Sequence, residues 1–128
     1  MLRKIISGGQ TGAELAALDA AIELDIPHGG WVPKGHSTDS VPLLGKYNLQ
    51  EMTVSSHPEV IEHNIIDSDG TLLLSHGEFS GELADIRGMA VQHARPWIHV
   101  DLTMTTELDA ALKTSIWMIE HNISVLNV

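Results

Sequence analysis

The chain has 128 residues, enough for one domain with a core of its own and too few for two, so 1–128 reads as a single domain. Seventeen acidic residues against seven Lys plus Arg leave a formal charge of −10, which excludes general binding to nucleic-acid backbones, and one Phe with one Tyr gives no stacking platform for single strands. The absence of cysteine excludes a disulfide scaffold, a thiolate metal site and a cysteine nucleophile, and fits a cytoplasmic address; no run approaches the roughly 18 apolar residues of a membrane span, so neither membrane nor nucleic acid is an expected partner.

In chain order, the apolar run Leu2–Ile6 leads into Ser7-Gly8-Gly9-Gln10-Thr11-Gly12 and then into helical periodicity over 13–24. A strand, a glycine turn and a helix in succession form a unit that cradles phosphates and other anions. The spacing is neither G-x-G-x-x-G nor a P-loop, so its content is physical: Gly8 and Gly9 can take positive φ and bring N–H groups to a ligand, while Gly12 permits close helix–strand packing. Thr11 with Glu14 also reads as a capping box.

Extended pieces around Pro27–Val32 and Tyr47–Met52 are predicted edge strands, separated by a long irregular loop from Gly29 to Gly45 that carries Lys34 and His36. A helix over 58–67 starts at a second capping box, Ser56 with Glu59, and Asp67-Ser68-Asp69-Gly70 reads as the turn into a strand at Thr71–Ser75 rather than as a calcium loop. Ser80 caps a helix over 81–94, a strand follows at Trp97–Asp101, and Thr105 or Thr106 starts the helix over 106–121. In that helix Leu108, Leu112, Ser115/Ile116 and Ile119 share one face, leaving Trp117 and Met118 for a subunit contact. A last strand covers Ile123–Val128. The alternation specifies an α/β fold with a mostly parallel sheet.

In such a sheet ligands sit at the carboxyl ends of the strands, which sorts the candidates into four converging loops: Ser7–Gly12, Gly29–His36, His76–Gly81 and Asp101–Thr103. The candidate ligand-binding residues are Gly8, Gly9, Gln10, Thr11, Gly12, Gly30, Lys34, Gly35, Ser80 and Gly81, with a small anionic or nucleotide-like molecule as the partner. The eight histidines form no metal signature, so no metal is predicted, and no nucleophile–base pair is assigned from spacing.

Ile6–Gly12 with Ala16-Ala17-Leu18-Asp19, Ile26–Trp31 with Pro33-Lys34-Gly35, Asp67–Thr71, Pro96-Trp97 and Asn122–Val128 together resemble the molybdenum cofactor carrier family, over nearly the whole chain. That family is similar to the Rossmann-like superfamily that includes the lysine-decarboxylase-like proteins, some of them nucleoside-monophosphate phosphoribohydrolases. The resemblance implies a doubly wound, three-layer Rossmann-like α/β/α fold, a homo-oligomer, and a site for molybdenum cofactor, a phosphorylated pterin or a nucleotide. It leaves open a carrier, an enzyme that hydrolyses an N-glycosidic bond through Glu78, Glu82 or Asp85 with Arg87 on the phosphate, and a degenerate non-catalytic homologue. Leu15 stands where the family often has Arg, and Glu82-Leu83 stands where it often has Gly-Thr, so both departures remove anion-binding capacity. Relatives also tend to run on past the position of Val128 through a Gly-Pro-Arg loop.

Overall fold

The computed structural model describes residues 1–10, 12–34, 46–53 and 56–128. Strands β1 (Lys4–Ile6), β2 (His28–Gly29), β7 (Val125–Asn127), β5 (Gly70–Ser75) and β6 (Trp97–Asp101) form one sheet in the order β2-β1-β7-β5-β6, parallel at every pairing. The intervening helices are α1 (Gly12–Glu23), α2 (His57–Ile66), α3 (Gly81–Gln92) and α4 (Glu107–Glu120). The sheet runs leftward from β1 to β2 and from β6 to β7, but rightward into β5 and on to β6. Right-handed crossovers therefore put α1 and α4 on one face and α2 and α3 on the other, giving the three-layer Rossmann-like fold that the alternation predicts.

The extended pieces divide differently from expectation. The chain leaves the main sheet at Gly30, whose φ of 137° lies in the glycine region, and β3 (Trp31–Val32) pairs with β4 (Gln50–Glu51) in a separate parallel ladder. A Cβ on Gly30 would strike the backbone carbonyl of Ser7, so the bend requires glycine there. Only β2 edges the main sheet on that side; β4 does not join it.

Two apolar clusters fill the α1/α4 face. Under α4 lie Ile98, Val100, Ala110, Trp117, Ile123 and Leu126; under α1 lie Leu18, Val32, Tyr47 and Leu49. Trp117 is 7% exposed and Met118 packs against the same cluster, so neither is placed at a subunit surface, contrary to expectation. Room for the indole comes from Gly70: a Cβ there would overlap Ile123 and approach Trp117 to 2.9 Å. The stripe expected to be buried, Leu108, Leu112, Ile116 and Ile119, faces outward instead.

Of the described N-caps, two follow the local chemistry and one does not. Ser80 Oγ accepts from Leu83 N–H at 3.2 Å and Thr106 Oγ1 from Asp109 N–H at 3.1 Å, as N-caps do. Ser56 occupies the N-cap position of α2 without a side-chain bond, so the predicted capping box is not formed; Pro58 in the first turn has no N–H to cap. The turn read at Asp67–Gly70 is present, and Asp69 uses it as a clamp: its Oδ2 accepts from Ser124 N–H (3.0 Å), Ser124 Oγ (2.9 Å) and Val125 N–H (2.8 Å). Among the described residues no helix is long and apolar enough to cross a membrane.

Candidate functional site

The order of the sheet reverses beside β1, and that is where a parallel α/β fold leaves a crevice at the strand ends. A cavity of about 630 Å³ opens there and continues between the sheet and helices α2 and α3, a volume suited to a small ligand. Its apolar lining is Val60 and Ile61 of α2, Leu73 of β5, and Leu83 and Ile86 of α3, with the buried polar side chains of Asn64, Thr71 and Asn127 among them. Its mouth is polar, with Gly8 and Gln10 of the glycine loop, Glu14, His57, His76, Glu78, Ser80 and Glu82. Parallel register sets Thr71 beside Asn127 on this face, where Asn127 Nδ2 donates to Thr71 Oγ1 at 3.3 Å.

Of the residues singled out from sequence, Gly8, Gln10 and Ser80 line this cavity, whereas Gly9, Gly12 and Gly81 adjoin it along the chain without lining it. Gly30 supports the loop from behind, against Ser7, and Lys34 does not line the cavity. Thr11, Gly35 and His36 lie outside the described residues. The packing role expected of Gly12 is not seen, because a Cβ there would meet nothing within 4 Å. Asn64, Thr71, Asn127 and His57 were not legible as site residues; Asn64, an amide within the apolar face of α2, was the one detectable irregularity.

The glycine loop is internally bonded. Ser7, fully buried, donates through Oγ to the Glu14 carbonyl at 3.2 Å and receives Gly9 N–H at 3.4 Å. Gln10 N–H donates to the Glu14 carboxylate at 3.1 Å, and the same carboxylate oxygen lies 2.9 Å from where a Gly8 Cβ would stand. Glu14 thus presents its negative charge to the loop amide that an external anion would seek.

The third and fourth loops are tied together. Asp101 Oδ1 accepts from Gly77 N–H (3.0 Å), Thr103 N–H (2.9 Å) and Thr103 Oγ1 (2.7 Å). The Thr103 bonds hold its carboxyl below the usual range, with the Gly77 amide and nearby His99 acting in the same direction against desolvation. Ser75, at the cavity wall, sits 2.7 Å from His99 Nε2 and donates to the Gly77 carbonyl at 3.0 Å. The residues considered for glycoside chemistry divide: Glu78 and Glu82 line the cavity mouth, but Asp85 lines the outer groove between α2 and α3. Arg87 lies over the rings of Phe79 (4.8 Å) and Trp97 (5.6 Å) rather than in the cavity lining. Among the described residues, no group of three or more His, Asp or Glu is arranged to hold a metal ion.

Comparison with known proteins shows the family and the fold. The model of the circularly permutated YpsA SLOG family matches residues 5–128. Among solved structures, the putative molybdenum carrier protein from Syntrophus aciditrophicus SB is 47% identical, with a TM-score of 0.91 over 98% of this chain and 80% of that one. No curated protein matches. The family match, spanning strand, glycine loop, cavity and final strand alike, establishes that the chain belongs to the circularly permutated YpsA SLOG family.

Proposed function

We propose that the chain is a carrier-like binding protein for a phosphorylated pterin or nucleotide-like ligand, held at the carboxyl edge of the sheet and able to associate with itself. The cavity carries this reading: apolar walls of Val60, Ile61, Leu73 and Ile86 suit a flat heteroaromatic ring, at the strand-end position where such folds take ligands. The solved relative's name, putative molybdenum carrier protein, supports a pterin among the candidates.

The donor set refines the choice. The described cavity-lining residues include no Lys or Arg, and besides Glu14, whose carboxylate is bonded to the glycine loop, they include the carboxylates of Glu78 and Glu82. Carboxylates accept paired N–H donors bidentately. A 2-amino-4-oxo edge, shared by pterins and guanine, offers such a pair; adenine does not. The residues therefore fit the ring of molybdenum cofactor better than its phosphate. The anionic end falls to the rim, to backbone N–H groups of the glycine loop and of Gly81, which adjoins the cavity at the start of α3; Lys34, outside the cavity lining, is the candidate cation. Bound there, the cofactor would be cargo, and the protein's part would be to orient the ring and exclude water from it.

Titration calorimetry with GMP, AMP, ADP-ribose, molybdate and a phosphorylated pterin tests this. The expected result is binding of GMP and the pterin, with AMP at least tenfold weaker. Absence of heat with every one of them overturns the reading.

A further inference from the structure

Helix α4 has two apolar faces, and only one is used by the fold. Ala110 and Trp117 are buried against the sheet, with Thr114 and Met118 beside them. At 100° per residue, Leu108, Leu112, Ile116 and Ile119 lie on the opposite side. Their exposures are 69%, 51%, 54% and 76%, and the same side includes Ser115, also exposed. Water-facing aliphatics of this size on consecutive turns of one helix are not the scattered apolar residues of an ordinary surface.

We propose that this face is where two copies of the chain meet, α4 packing antiparallel on α4 about a two-fold axis. The proposal deepens the self-association in the functional reading by naming its surface. The sequence of the stripe is self-complementary. Leu108, Leu112, Ser115 and Ile119 follow a 4-3-4 spacing, the seam of paired helices. Reversal about the midpoint between Lys113 and Thr114 sets Leu108 at the height of Ile119 of the partner subunit, Leu112 at that of Ser115 of the partner subunit, and Ile116 at that of Ala111 of the partner subunit. Leu112 then faces the small Ser115 of the partner subunit, as knobs and holes require, and a two-fold axis uses that layer twice; Ile116 and Ala111 of the partner subunit, level in height, stand on opposite flanks of the seam.

The area is consistent with a second copy as occupant. Four aliphatic side chains at these exposures present on the order of 250 Å² of apolar surface per copy. That is roughly half the apolar part of a standard interface of about 800 Å² per partner. Glu107, Lys113 and Glu120 flank the stripe and supply a polar rim. Met104, 81% exposed in the turn entering the helix, lies next to its first turn in sequence.

Sedimentation equilibrium of the full chain, wild type beside Leu112→Lys and Ile119→Lys, tests the surface, with circular dichroism confirming an unchanged fold. Both positions are solvent-exposed in the single chain, so the fold tolerates lysine there. The expected result is a mass near twice 13.9 kDa for the wild type and a dissociation constant raised at least 100-fold in each variant. A wild-type dimer that neither variant weakens overturns the surface while self-association stands. A wild type that remains monomeric up to about 1 mM overturns both. Neither result bears on ligand binding, which calorimetry reads separately.

Discussion

Asn64 exchanges two hydrogen bonds with the backbone of Trp31: its Oδ1 accepts from Trp31 N–H at 2.8 Å and its Nδ2 donates to the Trp31 carbonyl at 3.3 Å. One buried amide thus does for β3 what a neighbouring strand does elsewhere, and fastens it to α2 at the cavity wall. Asn64→Ala leaves both backbone groups without that partner. Its expected cost is about 1–3 kcal/mol, read by urea unfolding with an unchanged denaturant slope.

Gly70 is a packing requirement imposed by Trp117 and Ile123. Gly70→Ala is expected to destabilise by ~1–3 kcal/mol through overpacking. Because the overlap is with the Ile123 Cδ1 methyl, adding Ile123→Val should recover part of that loss, a coupling measurable by a double-mutant cycle. At Gly88, mid-helix in α3 with nothing within 4 Å of an added methyl, alanine should instead stabilise by ~0.5–1 kcal/mol.

The Asp69 clamp predicts a pH dependence. Burial pushes the Asp69 carboxyl up, but hydrogen bonds from Val125 and Ser124, with Arg3 nearby, together hold it below its ordinary value. A depressed folded-state pKa means that the stabilisation is complete above the ordinary Asp value of about 3.9. It is lost as pH falls through the lower folded value. Asp69→Asn should therefore lower stability at pH 7 and flatten the fall below pH 4 in urea titrations; an acid limb identical to wild type would rule out Asp69 as its source.

Glu14 competes for the glycine loop. Replacing it by glutamine removes the charge from beside Gln10 N–H while keeping the side chain's length. The expected outcome is GMP affinity raised about three- to tenfold, with the gain shrinking as salt is added. Unchanged affinity in calorimetry would mean that the anion does not approach that amide.

The fold was legible from periodicity because each main-sheet strand is bounded by turn residues and each helix by a polar or glycine start. The face of α4 was not. Periodicity registers where large aliphatics recur, and the stripe Leu108–Ile119 is the stronger signal; the buried face is built from Ala110, Thr114 and Trp117, whose fit depends on the distant Gly70. The site was half legible for a similar reason. Glycine loops show in sequence, as Gly8 and Gln10 did, but Asn64 and Asn127 reach the cavity only through the α2–β3 bonds and the β7–β5 register.

The most direct measurement is amide mapping by NMR during titration with GMP. Ligand binding at the strand ends predicts shifts concentrated at Gly8, Gln10, Asn64, His76, Glu78, Ser80 and Asn127, residues that line the cavity. Saturable shifts confined to α4 or to the outer α2–α3 groove, with those amides unmoved, would contradict it.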